Sequence, residues 1–317
     1  MKHIKRIKVK TSLLLTLPLF IFSFCDRDHI FEREQYKVVV ALLSDDDFNI
    51  FSEELSFSEE LVDGYVAASC GGVLPTTETI NIDIVEDESL LSFYNISNFD
   101  IDAERYAQYL SKDRYKIKEH KITINAGERT GRMHIELDVI GLSPDTVYMI
   151  PFKVNTFSAY EFNPNKSSVL YRIYLKNKYA STMDGDGSTV YNHRGKRGLT
   201  NTMVQKKVFP TGLNEVRIMA GIKEFQKDEK LINQWSIRLV VDEEDNVTIL
   251  PWDNSKYGMK VSQIDGDPDF PNTFSIVNDG YNSYKTFLLR YNFVDPDDGN
   301  TYEMSEELRF AFVEEEA

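Results

Sequence analysis

The sequence predicts an all-β protein of two domains. Three observations carry this: apolar and polar residues alternate with a period of two from Tyr36 onward, turn residues interrupt the alternation, and long helical patterns are few. Ile80, Ile82 and Ile84 alternate with Asn81 and Asp83. Met133, Ile135, Leu137 and Val139 alternate with His134, Glu136 and Asp138. Both runs read as strands with one buried face, because successive side chains of a strand point to opposite sides. Further strands are expected at 37–42, 65–69, 115–118, 121–125, 147–154 and 169–175. Gly71-Gly72, Ala126-Gly127, Gly141 and Ser143-Pro144-Asp145 supply the turns between them. Short strands so punctuated indicate a β-sandwich. One helical stretch is expected near 102–110, where Tyr106 and Leu110 share a face.

After Tyr179 the texture changes. Residues 181–188 (STMDGDGS) are small, polar and glycine-rich, and 180–190 is expected to link the domains. The second block carries strands at 216–222 and a hairpin in which 235–241 and 247–252 flank the turn 242–246. Another strand, 286–293, returns through 295–300 to 301–304, and 308–312 closes the fold.

The chain has 317 residues, enough for two ordinary cores, and its 42% hydrophobic content lies in the globular range. Residues 1–10 are basic and residues 13–24 (LLLTLPLFIFSF) form a twelve-residue apolar run. That run is too short to span a bilayer, which needs about 20 residues, so 1–24 reads as a signal peptide. Removing its five cations takes the formal charge from -15 to -20. So acidic a chain repels phosphate backbones, and nucleic-acid binding is excluded as a function class. Cys25 stands directly after the apolar run, where it resembles the acylated cysteine of bacterial lipoproteins. The acidic residues that follow it resemble the export signal of Bacteroidetes surface lipoproteins. Residues 25–35 then form a lipidated N-terminus and tether. Cys70, the second of two cysteines, is expected to be a small buried residue near a turn.

The stretch Ser97-Asn-Phe-Asp-Ile-Asp-Ala-Glu104 places Asp100, Asp102 and Glu104 at alternate positions, as in the D-G-x-D-x-D-x-E signature of family 18 chitinases. Ser97 and Asn98 stand where that signature has its first aspartate and its glycine, and Ala103 where it has an aromatic residue. The (β/α)8 barrel that carries the signature needs about 250 residues of alternating strands and helices, which the chain does not offer. The stretch therefore reads as a solvated acidic turn, and no catalytic residue is assigned. The acidic loops 184–187, 265–269 and 295–299 invite a calcium reading, but none has the full twelve-residue loop and closing glutamate of an EF-hand, so they read as turns. His29, His120, His134 and His193 lie far apart without zinc spacing, so no metal or other cofactor is expected.

The positive feature is aromatic. Trp235, Trp252, Tyr257, Tyr281 and Tyr284 all lie in the second block. Flat rings stack on the apolar faces of sugars while nearby Asn, Asp and Arg meet the hydroxyls. Trp235 begins an alternating strand and is expected to be buried, as tryptophan on a strand usually is. Trp252, Tyr281 and Tyr284 are the better candidates for exposure.

Residues 37–178 also carry a family resemblance, through motifs in a fixed order. These are YVAASCGG (65–72), INIDI (80–84), DESLLSFYN (87–95), Tyr106 with Leu110, YKI (115–117), ITINAG (122–127), LSPDTVYMIP (142–151) and VLY (169–171). Together they resemble an Ig-like β-sandwich domain of Bacteroidetes surface lipoproteins that also precedes family 18 endoglycosidases. The second block is similar to an uncharacterised β-rich domain that often follows it. The resemblance implies an Ig-like sandwich over 36–179, then a second β-sandwich or β-barrel-like domain over 191–317. It implies a non-catalytic outer-membrane lipoprotein on the cell surface that assists polysaccharide utilisation. Its partners would be an oligosaccharide or glycoprotein glycan, the outer membrane through the lipid on Cys25, and an outer-membrane transporter complex. A glycoside hydrolase with unrecognised carboxylates and a protein-binding adhesin or scaffold are the competing classes.

Overall fold

The computed structural model describes residues 37–72, 74–184 and 187–313; the expected signal peptide and Cys25 lie outside these. The N-terminal half is a sandwich of two sheets. Its strands are β1 (Val39–Leu42), β2 (Ile50–Ser56), β3 (Val62–Cys70), β4 (Ile80–Glu86), β5 (Gln108–Tyr109), β6 (Tyr115–Lys116), β7 (Lys121–Ile124), β8 (Thr130–Leu137), β9 (Tyr148–Phe157), β10 (Glu161–Phe162) and β11 (Ser168–Lys176). One sheet runs β10-β1-β3-β8-β6; the other runs β2-β11-β9-β4-β7, with β5 on β9. The period-two residues meet between them. Ile80, Ile82 and Ile84 from one sheet and Met133, Ile135 and Leu137 from the other are buried in one cluster with Val66, Ile150, Phe152 and Tyr171. Cys70 ends β3 and is buried there.

The helix lies earlier than 102–110. It is α1 (Glu88–Phe99), capped by Asp87, whose side chain accepts from Ser89 N. Leu91, Tyr94 and Asn95, at i, i+3 and i+4, turn inward, which is the spacing a helix needs to bury one stripe. Asp100 ends it at φ 50°, and only a 3-10 turn, Ala103–Arg105, follows. The acidic stretch thus straddles the helix end, and Asp100 and Asp102 are exposed.

The C-terminal half is one nine-stranded sheet. Its elements are β12 (Thr189–Arg197), β13 (Thr200–Gly212), β14 (Glu215–Met219), α2 (Glu229–Trp235), β15 (Ser236–Val241), β16 (Val247–Pro251), β17 (Val261–Gln263), β18 (Thr273–Asn278), β19 (Ser283–Val294) and β20 (Thr301–Phe312). The order is β16-β15-β14-β13-β12-β20-β19-β17, with β18 on β19. The sheet curls until its ends meet. Val247 N donates to Asn272 O at 2.8 Å, Phe274 N to Asp245 O at 2.9 Å, and Asn246 bridges Thr273. The result is barrel-like, around a core that includes Tyr191, Val216, Ile218, Leu239, Phe287 and Leu308.

Within this core sits a charged cluster. Glu306 takes Lys206 Nζ at 2.8 Å and the Tyr291 hydroxyl at 2.8 Å, and His193 Nδ1 lies 2.9 Å away. These four residues come from the adjacent strands β13, β12, β20 and β19, and all are buried.

The described residues of 180–190 are packed at the junction of the halves. Ala180, Thr182, Ser188 and Thr189 are buried, Ser181 bridges Lys176, and Thr182 Oγ1 accepts from Leu175 N. Asn177 extends the junction by donating to Gly212 O and Glu215 O, each at 2.8 Å.

Candidate ligand-binding site

The two halves enclose a cleft of about 770 Å³. Its N-terminal wall comes from Glu104, Tyr106 and Gln108 and from the turn at Ser143, Asp145 and Thr146. Its C-terminal wall comes from Arg217, Trp252 and residues of α2 with the segment before it, among them Lys227, Ile232 and Asn233.

Local chemistry places each wall. Asn95, buried on α1, donates through Nδ2 to Ala107 O and accepts through Oδ1 from Ala107 N, both at 2.9 Å. A single amide thereby mimics a strand partner for the segment that carries Glu104, Tyr106 and Gln108. The Tyr106 hydroxyl closes the turn by donating to Asp100 O. Opposite, Ser143 Oγ accepts from Asp145 N at 3.2 Å and aims Asp145 across the domain boundary. There its two oxygens accept from Arg217 Nη1 at 2.7 Å and Nη2 at 2.6 Å. This bidentate fork is the strongest geometry available to a carboxylate and a guanidinium.

Arg217 occupies the outward position of β14 between Val216 and Ile218, which face the barrel core. Its side chain is nevertheless only 1% exposed, because Asp145 of the N-terminal half and the rings of Phe209, Phe225 and Trp252 surround it. Its guanidinium lies 4.6 Å from the Phe209 ring centroid and 5.0 Å from that of Trp252. Cation–π contacts of this kind hold the indole against the clamp.

The expected aromatic residues therefore separate. Trp252 follows β16, is half-buried and lines the cleft. Trp235 is buried as expected, yet it ends α2 rather than beginning a strand. Tyr281 is 94% exposed at the tip of the β18–β19 hairpin, where Asp279 Oδ1 accepts from its backbone N. Tyr284 is half-buried, with the Arg309 guanidinium 4.0 Å from its ring centroid. Tyr257 is 67% exposed, with Lys256 Nζ 4.7 Å from its ring. None of these four lines the cleft, whereas Glu104 does. Sequence reasoning did not single out Arg217, Gln108 or Asn233, and placed Asp145 only in a turn. An arginine at an outward strand position carries no sign that loop aromatics and a carboxylate of the other domain will bury it.

The acidic loops at 265–269 and 295–299 serve as turns and ion-pair anchors. Asp267 pairs with Arg290, Asp295 with Arg197, and Asp298 Oδ2 accepts from the Tyr302 hydroxyl at 2.7 Å. Among the described residues, no group of three or more His, Cys, Asp and Glu side chains is placed to hold a metal ion.

Comparison with known proteins supports the two-part reading. A family model of an N-terminal domain matches residues 36–161, and one of a C-terminal domain matches residues 167–309. No curated protein matches the sequence. Among solved structures, a protein of unknown function from Bacteroides ovatus is similar at a TM-score of 0.65 and 16% identity, over 86% of this chain and 94% of that one. A multidomain protein including DUF1735, also from Bacteroides ovatus, is similar at 0.62 and 15%, again over 86% and 94%. An auxiliary nutrient binding protein from Bacteroides thetaiotaomicron is similar at 0.51 and 14%, over 84% and 92%. At these identities the likeness is one of fold. Matched in both halves by paired domain models, the chain belongs to this two-domain, β-rich family.

Proposed function

We propose that the protein is a non-catalytic glycan-binding protein of the cell surface, with the interdomain cleft as its site. The observation that carries the proposal is Trp252, a half-buried indole braced by Arg217 on the wall of a cleft of about 770 Å³. A concave site with a stacking surface and convergent polar groups is the form small-ligand sites take. Gln108, Asn233 and Thr146 offer donors and acceptors for hydroxyls. The fold shared with a nutrient binding protein of Bacteroides thetaiotaomicron supports the same reading.

Trp252→Ala should weaken oligosaccharide binding by about ten-fold or more, a loss of about 1.4 kcal/mol, while Tyr257→Ala, outside the cleft, leaves it unchanged. Calorimetric titration against a glycan panel measures both. Unchanged affinity in Trp252→Ala refutes the assignment of the site. Release of reducing ends from a polysaccharide, lost in Glu104→Gln, would instead make the protein a hydrolase.

The sequence further supports anchoring to the outer membrane through acylated Cys25, with delivery of bound glycan to a transporter in that membrane. Metabolic palmitate labelling should vanish in Cys25→Ala, together with co-purification of the transporter; labelling that persists rules the anchor out.

A further inference from the structure

Beyond the Asp145–Arg217 bridge the cleft continues into a smaller chamber of about 330 Å³. Asp145, Thr146 and Lys227 line both spaces, so they are continuous along one wall. Among the described residues, the charge that lines the chamber is unbalanced. Arg172 and Lys227 line it, and its carboxylate, Asp145, already gives both oxygens to Arg217.

Arg172 reaches this place because β11 alternates. Val169, Tyr171, Ile173 and Leu175 face the sandwich core, so Leu170, Arg172 and Tyr174 face outward. Leu170 is covered by α1, and Arg172 is half-buried where the C-terminal domain approaches. Its guanidinium lies 4.6 Å from the Tyr174 ring centroid, a cation–π contact that leaves its charge without a carboxylate partner. Among the described residues, its buried Nε has no hydrogen-bond partner and no carboxylate pairs with the guanidinium. A half-buried cation without a counter-ion is costly, and in a chain of formal charge -15 an acidic neighbour would be easy to supply.

We infer that this chamber is a carboxylate-binding subsite, and that the glycan taken by the cleft carries an acidic sugar, a uronic or a sialic acid. The inference rests on the glycan-binding reading above. The Arg172 fork receives the two carboxylate oxygens, Lys227 adds a second positive charge at the entrance, and the neutral part of the glycan lies along Trp252. The acidic residues of the larger space, Glu104 and Glu229 among them, disfavour the reverse orientation. Phe209 and Phe225, whose rings pack 4.5 Å apart, give the chamber an apolar wall and lower its local dielectric, which strengthens the ion pair.

The test is calorimetric titration of the full chain with matched pairs: sialyllactose against lactose, and a galacturonic acid trimer against its methyl ester. The acidic member of one pair should bind about ten-fold tighter than its neutral partner, with an advantage that shrinks as salt rises. Which pair shows it distinguishes sialic from uronic acid. Arg172→Gln should abolish that advantage while leaving neutral binding intact. Lys227→Ala, on an exposed residue, should reduce it. Trp252→Ala should weaken both members of a pair alike. Equal affinity for acidic and neutral members overturns this inference and leaves the glycan-binding reading standing. Absence of binding to every glycan, neutral ones included, overturns both. Preference for a sulfated oligosaccharide over either carboxylate overturns the assignment of the subsite.

Discussion

Glu306→Ala should destabilise the C-terminal domain by about 3–5 kcal/mol, the range expected when one member of a buried ion pair is removed. Glu306 is 0% exposed and Lys206 only 3%, so truncation leaves an ammonium with neither water nor counter-ion. It also strands the Tyr291 hydroxyl, which now donates to Glu306 Oε1 and accepts from Gly221 N. Replacing both charges, as Lys206→Met with Glu306→Leu, should recover most of the loss, because no unpaired charge then remains. Urea unfolding followed by tryptophan fluorescence measures both, since Trp235 and Trp252 both lie in this domain. A cost below about 1 kcal/mol for Glu306→Ala would show that water reaches the site.

The same pair makes stability depend on pH. Burial alone would raise the Glu306 pKa, but the Lys206 charge and the His193 contact outweigh it and bring it from 4.5 down to about 2. A folded pKa below the unfolded one means that the unfolded chain binds the proton first. The stabilisation is therefore complete above about 4.5 and is lost as pH falls toward about 2. The stability difference between the native protein and Glu306→Gln should narrow across that window. A difference that stays constant there would contradict the assignment.

Arg217→Ala should cost about 3–5 kcal/mol as well, and should also uncouple the two domains. Asp145 would be left without the fork that satisfies both its oxygens, and the indole of Trp252 would lose its brace. The native protein is expected to melt in one calorimetric transition because this clamp and the Asn177 bonds tie the halves together. The variant is expected to show two transitions. Asp145→Asn should be milder, since the Asp145 side chain is 17% exposed and an amide oxygen can keep one of the two hydrogen bonds. A single, unshifted transition in Arg217→Ala would show that the domains are held by the junction alone.

Where several apolar residues alternate along a strand, the sequence discloses it. The Ile80–Ile84 and Met133–Val139 alternations, the hairpin around 242–246 and the turn at Ser143–Asp145 appear at or near the expected positions. β2, β12, β13 and β18 escaped, and in two of them a polar residue takes an inward position. In β12 and β13 the barrel interior receives His193 and Lys206, so alternation is present in space but absent in hydropathy. The helix was misplaced because Tyr106 and Leu110 suggested a helical face. Residues 88–99 in fact have the capping aspartate and the inward stripe.

The cleft was legible only in part, through Trp252. Its other wall arrives from residues more than a hundred positions earlier, among them Glu104 and Gln108. Period, turn chemistry and composition are local, and they determined that the chain is all-β, in two halves, and acidic. Which polar residues are buried and which face one another depends on how the second domain covers the first. Only the tertiary structure decided that Arg217 is a clamp, that Glu306 is an interior charge, and that Arg172 faces an enclosed space, because desolvation and pairing are properties of the assembled surfaces.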